Sequence, residues 1–254
     1  MAAQASGGLG SAAGFAVLAK TAVTCTDGNI TGLVGVASSS TAITKTRCHM
    51  QTQVAPGAYA DFRALYTGIA GSLTPCTVLT GTLAGQSLGA GTYCFPAAAA
   101  LTGTLTLMGT GPWLFEIGTT GGALSATNFT VVGSNPCNAM WWVQADVTTT
   151  DSMFQGTILG GGDITLTRTS LDGRAFATGA VSMTGGSVFG CAAGTGHDKD
   201  KDKDKDKQHC NQGVGNGPEG CDPGNSNHRH TSNDELGGTP GDPGRQGGRH
   251  GEQD

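Results

Sequence analysis

Val147-Thr148-Thr149-Thr150, Ile164-Thr165-Leu166-Thr167 and Val181-Ser182-Met183-Thr184 stand 17 residues apart along this chain. They sit in three gapless blocks, residues 140–156, 157–173 and 174–190, which close on Gly156, Gly173 and Gly190. A fixed short period is what a chain shows when it stacks copies of one supersecondary unit, and it predicts an all-β-dominated β-solenoid. In each quartet the first and third residues are mostly apolar, while the second and fourth carry hydroxyls. That alternation has the two-residue period of a strand with an inward apolar side and an outward hydroxyl side.

The repeat extends upstream. Residues 117–133 form another block ending in Gly133, which places Leu124-Ser125-Ala126-Thr127 in the same four columns, and residues 134–139 then interrupt the register. A looser fit, Leu101-Thr102-Gly103-Thr104, supplies a fifth rung. The outward ladder is therefore expected to comprise Thr102, Thr104, Ser125, Thr127, Thr148, Thr150, Thr165, Thr167, Ser182 and Thr184. Threonine suits strands for purely structural reasons. Uniform Thr or Ser in both outward columns of the four well-registered blocks, with no Lys, Glu, Gln or Arg, argues for more than that.

Stacked strands repeat every ~4.8 Å, and outward neighbours along a strand lie about 6.8 Å apart. The expected product is a two-dimensional grid of methyls and hydroxyls, whose partner must be planar, periodic and uncharged. An ice crystal surface is the first candidate, and a crystalline polysaccharide the second.

Charge excludes other classes. The chain has 254 residues and a net charge of −5. Residues 1–194 carry six basic and seven acidic side chains, and residues 195–254 hold the remaining eight and twelve. Six dispersed cations make no phosphate-binding patch, so no nucleic-acid partner is expected. The apolar run from Phe15 to Val23 is interrupted by Lys20 and falls far short of the ~20 residues needed to cross a bilayer, so no membrane partner is expected either.

Asp146 and Asp163 fall in one column that Ala180 ends, and no His, Lys or Glu is placed to act with them. A solvated edge is the plainer reading, with a metal or carboxylate pair as the alternative. His49 is the only histidine of residues 1–194 and has no motif around it, so the chain is read as no enzyme, with no cofactor and no metal. Trp141 and Trp142 align with Ile158-Leu159 and Ala175-Phe176, which puts at least one ring in the core and leaves the other free for exposure.

Residues 57–71 form the one convincing helix, on the apolar stripe Ala58, Phe62, Leu65, Tyr66 and Ile69, following Pro56 and stopping at Gly71. Near Thr195 the composition changes. Asp198 to Lys207 alternates strictly between Asp and Lys, followed by Gly, Asn, Pro, Asp and His with hardly an aliphatic residue. Two domains follow: 1–194, a folded body, and 195–254, a low-complexity disordered tail. His209, Cys210, Cys221, His228 and His230 in that tail match no strong zinc template.

Eight cysteines without a CxxC pair point to disulfides and an oxidising compartment, hence to a secreted or cell-surface protein. Met1-Ala2-Ala3-Gln4 lacks the features of a signal peptide, and the expectation is a leader removed before an added Met1.

Several stretches together resemble the microbial ice-binding protein family. They are Leu9-Gly-Ser-Ala-Ala-Gly-Phe-Ala-Val-Leu18, the helix beginning near Ala58, Leu101-Thr-Gly-Thr-Leu-Thr-Leu107, Trp113-Leu-Phe-Glu-Ile-Gly118, Cys137-Asn-Ala-Met-Trp-Trp-Val143 and Asp172-Gly-Arg-Ala-Phe-Ala177. The resemblance covers about residues 9–191. It implies a right-handed irregular solenoid of triangular section with one long helix alongside, and an N-terminal segment packed near the last repeats, so that chain order is not stacking order. It also implies a flat face adsorbing to ice, often with Thr-Ala/Gly-x-Thr/Asn patterns. Ser125-Ala-Thr-Asn128 and Thr184-Gly-Gly-Ser187 are similar to these. Thr150-Asp-Ser-Met153 and Thr167-Arg-Thr-Ser170 depart from them and set Asp151 and Arg168 at one edge.

Some relatives carry a capping insertion before the helix, where this chain has only the short Ser38–Pro56 segment. By the same analogy Cys76 pairs with Cys94, Cys137 with Cys191 and Cys25 with Cys48. The function so implied is a monomeric, secreted protein that inhibits ice growth and recrystallisation. A surface adhesin or structural module without ice activity is the alternative.

Overall fold

The computed structural model describes residues 8–39, 42–71, 75–133 and 135–191. The expected tail and its His and Cys residues lie outside the described residues.

Strands β1 (Phe15–Ala19), β2 (Val23–Val36) and β3 (Ile43–Val54) precede the one α-helix of the described residues, α1 (Pro56–Gly71). There follow β4 (Thr77–Val78), β5 (Gln86–Leu88), β6 (Gly91–Phe95), β7 (Ala99–Leu107), β8 (Trp113–Ile117), β9 (Leu124–Gly133) and β10 (Ala139–Val143). The last strands are β11 (Val147–Thr150), β12 (Met153–Gly160), β13 (Ile164–Thr167), β14 (Ser170–Ala177) and β15 (Val181–Phe189).

The expected right-handed solenoid of triangular section is corrected by this topology. The strands form one mostly parallel fifteen-stranded sheet, in the order β4-β6-β8-β10-β12-β14-β1-β2-β15-β13-β11-β9-β7-β5, with β3 on β2. A further pairing of β9 with β12, Thr130 opposite Met153, joins the two arms. The strands β9, β11, β13, β15, β2, β1, β14 and β12 thereby close into an eight-strand barrel. Spacing along the chain records only that strands recur. Closure arises because the long strands bend and pair on two sides, as where β14 meets β15 through Ser170–Ser187, Leu171–Val188 and Asp172–Phe189.

Two of the repeated glycines, Gly156 and Gly173, take a backbone conformation that side chains rarely adopt. Gly156 and Gly173 have φ of 115° and 156° and pair with each other, and a Cβ on Gly173 would lie 1.9 Å from the Gly156 carbonyl oxygen. Only glycine fits there.

A barrel of eight strands encloses space that side chains can fill. Phe129 of β9 and Phe154 of β12 belong to the one buried core that runs through it and on beneath β8 and β10, where Trp113, Phe115 and Trp141 continue it, the Phe115 and Trp141 rings stacked 3.9 Å apart. The N-terminal strand lies where the resemblance placed it, β1 between β14 and β2. A second apolar cluster forms outside the barrel, where Ala58, Phe62 and Tyr66 of α1 cover Phe15, Leu18, Met140, Trp142, Leu159 and Phe176. Trp141 and Trp142 are both buried. The expected freedom of one ring is lost because Trp142 stacks on Tyr66 and donates from Nε1 to the Tyr66 carbonyl at 3.1 Å.

Three disulfides staple these parts: Cys25–Cys48 joins β2 to β3, Cys76–Cys94 holds the segment entering β4 to β6, and Cys137–Cys191 ties the approach to β10 to the residues after β15. These are the same pairs that the family resemblance implies.

Candidate hydroxyl face

Register decides which hydroxyls share a surface. Ser125, Thr148, Thr165 and Ser182 are successive partners across β9, β11, β13 and β15, and Thr127, Thr150, Thr167 and Thr184 are partners two residues on. The columns then continue onto strands from the other end of the chain. Ser182 pairs with Thr24, which pairs with Thr44; Thr184 pairs with Thr26, which pairs with Thr46. All twelve side chains are exposed or half-buried, and no charged residue interrupts either column.

The inward neighbours Val147, Ile164, Val181 and Val23 and, in the next column, Ala126, Thr149, Leu166, Met183 and Cys25 are buried. Thr149 is the one polar member, and it is satisfied inside by donating to Thr169 Oγ1 at 2.9 Å. Six layers at the strand spacing make a grid about 24 Å long and two hydroxyls wide.

Thr24, Thr26, Thr44 and Thr46 were outside the expected ladder. Val23-Thr24-Cys25-Thr26 and Ile43-Thr44-Lys45-Thr46 carry the same quartet pattern, but they stand 20 residues apart and far from the other repeats in sequence. Quartet pattern without the fixed period was the available signal.

On β7 the register differs from the expected one. Ala100 pairs with Ser125 and Leu101 with Ala126, so Thr102 stands beside the second column. After the irregularity between Leu101 and Gly103, Thr104 pairs with Thr130. Thr104 is thus turned out of the ladder, because the strand starts at Ala99 and bends at Gly103, whose φ is 74°.

The residue after each second-column threonine is left-handed: φ is 50° at Asn128, 49° at Asp151, 46° at Arg168, 57° at Gly185, 52° at Asp27 and 50° at Arg47. This column turns every layer at one line and ends the flat face there. Its charges pair along the stack. Arg168 donates from Nε and Nη2 to Asp151 at 2.6 and 2.7 Å, and Arg47 does the same to Asp27 in the last two layers. The guanidiniums hold both carboxyls below their ordinary range, chiefly through these hydrogen bonds. Asp151 and Arg168 therefore form a paired rim beside the grid.

The opposite rim is built from Asp146 and Asp163. Asp146 Oδ1 accepts the Asp163 N–H at 2.8 Å, and Asp163 Oδ1 accepts the Ala180 N–H at 2.7 Å, so each carboxylate caps the next layer. Among the described residues no three His, Cys, Asp or Glu side chains are placed to hold a metal, and no helix is long and apolar enough to cross a membrane.

Residues 5–189 match the family described as Ice-binding-like. The chain is 35% identical over 191 residues to an ice-binding protein of Nostoc sp. (strain HG1), covering 69% of this chain and 71% of that protein. It superposes on the crystal structure of an ice-binding protein from an Antarctic bacterium of the Flavobacteriaceae with a TM-score of 0.64 at 31% identity, over 74% of this chain. The match spans about half, 48%, of that protein's length. An ice-binding protein from Arctic yeast aligns with a TM-score of 0.67 at 24% identity, over 76% of this chain and 97% of its own, a likeness of fold.

Proposed function

Because the chain belongs to the ice-binding family, we propose that it adsorbs to ice through the hydroxyl grid on β9, β11, β13, β15, β2 and β3 and so inhibits ice growth and recrystallisation. The single observation that carries the assignment of the face is the unbroken register of Thr and Ser through Ser125, Thr148, Thr165, Ser182, Thr24 and Thr44. Threonine methyls hold a cage of ordered water and hydroxyls anchor it, and the ordered layer merges with the crystal. Growth then continues only as curved fronts between adsorbed molecules, which lowers the local freezing point. Each water contact is weak, so the rigid grid acts collectively.

The family reading makes the protein non-enzymatic, with ice as its partner. Three disulfides favour an oxidising destination, and we place the protein outside the cell or on its surface, acting as a monomer. Residues 1–194 are the ice-binding domain in this reading, and residues 195–254 are a low-complexity extension.

The test is ice-crystal shaping and recrystallisation inhibition by wild type and by Thr167→Tyr, whose ring would stand proud of the grid. The variant is expected to fold and to lose inhibition. Equal inhibition by both, with the fold intact, contradicts the face.

A further inference from the structure

Arg174 is a cation inside the protein. It stands on β14 at 3% exposure, and burial lowers its pKa. Its Nη2 donates to two main-chain carbonyls that come from distant parts of the chain: that of Ala13, in the short helical turn Gly10–Gly14 ahead of β1, at 3.1 Å, and that of Cys191, just past β15. A buried charge persists only while hydrogen bonds satisfy it, so the loss of either carbonyl is costly.

The two carbonyls meet because the N-terminal strand returns to β14 and the end of β15 runs over its start. Val17 pairs with Ala175, the neighbour of Arg174, and a Cβ on Gly190 would lie 2.9 Å from the Ala16 Cβ. Cys191 is then held by its bridge to Cys137, in the turn Pro136–Asn138, as well as by the guanidinium. On its other side the turn Gly10–Gly14 is fastened to α1, where Asp61 Oδ2 accepts from the Ser11 N–H and hydroxyl at 2.7 and 2.6 Å. Leu9, Ala12 and Phe15 are buried beneath it in the cluster under α1.

We propose that Arg174 and the Cys137–Cys191 bridge form one redox-sensitive latch on the N-terminal turn. With the bridge closed, the Cys191 carbonyl stays on the guanidinium, and the same Nη2 holds Ala13. Opening takes a dithiol reductant: two electrons and two protons pass to the bridge, its S–S bond becomes two thiols, and the dithiol closes to a disulfide. Cys191 is then free to withdraw, Arg174 loses an acceptor inside the protein, and the turn it holds loosens. The other two bridges join different segments, Cys25 to Cys48 and Cys76 to Cys94, and lie outside this contact. The latch is independent of which face meets ice.

Hydrogen exchange on the full chain, read by mass spectrometry, tests it. The proteins are wild type, Cys137→Ser with Cys191→Ser, Arg174→Met, and the triple variant, with Cys25→Ser and Cys48→Ser as the control pair and circular dichroism as the check of fold. Loss of a hydrogen bond to a buried charge predicts that peptides covering residues 9–19 exchange about tenfold faster or more without the bridge, while β11 and β13 keep their rates. Arg174→Met is expected to do the same, and the triple variant to exceed neither parent, since both act through one contact. The control pair is expected to leave residues 9–19 at the wild-type rate. Should Arg174→Met fail to fold, Arg174→Lys, which keeps a cation without the fork, carries the same expectation. Wild type opened with dithiothreitol and then reoxidised should gain the acceleration and lose it again. Unchanged exchange at residues 9–19 in a folded protein without the bridge overturns the latch. So does a triple variant whose acceleration is the product of the two, or a bridge that no dithiol opens while the fold is intact.

Discussion

Asp151 and Glu116 show how one side chain's surroundings set opposite responses to pH. Asp151 and Asp27 are exposed, and their arginine partners depress both pKa values. A depressed carboxyl contributes stability that is present above its unfolded pKa, near 3.8, and that is lost as pH falls through the lower folded value. The paired rim therefore stays intact across neutral and mildly acidic pH. Recrystallisation inhibition is expected to be flat from about pH 5 to 8 and to decline only in stronger acid, as an activity profile at constant ionic strength would show.

Glu116 is the reverse case. It is 1% exposed on β8, its Oε1 has no hydrogen-bond partner among the described residues, and burial raises its pKa. A raised acid favours the fold below its unfolded pKa, and that contribution disappears as pH climbs through the folded value. Glu116→Gln is accordingly expected to raise the melting temperature at neutral pH and to flatten its pH dependence. A melting temperature that falls equally at pH 4 and pH 8 contradicts this.

At the scale of elements, the helix was the most legible part of the chain. The stripe Ala58, Phe62, Leu65, Tyr66 and Ile69 is the face that α1 packs, with Ala58, Phe62 and Tyr66 buried and the other two half-buried. Phe62 meets Phe176 at 5.6 Å and Tyr66 donates to the Val143 carbonyl at 3.0 Å, so the helix is fixed by both packing and a directed hydrogen bond. Phe62→Ala should cost about 3 to 5 kcal/mol, measured as a shift in urea midpoint at constant m.

Among the disulfides, loop length ranks the effects. Cys137–Cys191 spans 54 residues against 23 for Cys25–Cys48 and 18 for Cys76–Cys94. In the chain-entropy account its removal costs ~4 kcal/mol, against ~3 kcal/mol for either of the others. Serine pairs at each bridge, compared by denaturant titration, test the order.

The strand quartets on β11, β13 and β15 were readable because their spacing is constant, and that on β9 because its block, closing on Gly133, falls into the same columns across a six-residue interruption. β7 was misregistered by two residues because Ala99-Ala100-Leu101, which carries no hydroxyl, takes the quartet's place beside β9, and the bend at Gly103 then carries Thr104 to Thr130. Thr24, Thr26, Thr44 and Thr46 went unseen because nothing local says that β2 will lie beside β15.

For the whole molecule, the sequence carried the family, the inward and outward sides, and the N-terminal return. It did not carry closure. The β9–β12 pairing that completes the eight-strand barrel rests on Thr130 meeting Met153, two residues with no distinctive pattern. Closure bears on function through rigidity. Both rims of the hydroxyl face are stitched layer to layer, by Asp146 and Asp163 on one side and by Arg168–Asp151 and Arg47–Asp27 on the other. If this face is the adsorbing one, as proposed, a grid so held would present its hydroxyls in register without ordering them at the moment of contact.

The most direct test is the protein concentration needed for half-maximal recrystallisation inhibition in wild type, Thr165→Tyr and Thr104→Tyr. Thr165 lies in the middle of the grid, whereas Thr104 pairs with Thr130 beyond the bend. Thr165→Tyr is predicted to need at least about tenfold more protein, equivalent to about 1.4 kcal/mol of lost adsorption, while Thr104→Tyr matches wild type. Inhibition weakened as much by Thr104→Tyr as by Thr165→Tyr, both folded, would contradict the account.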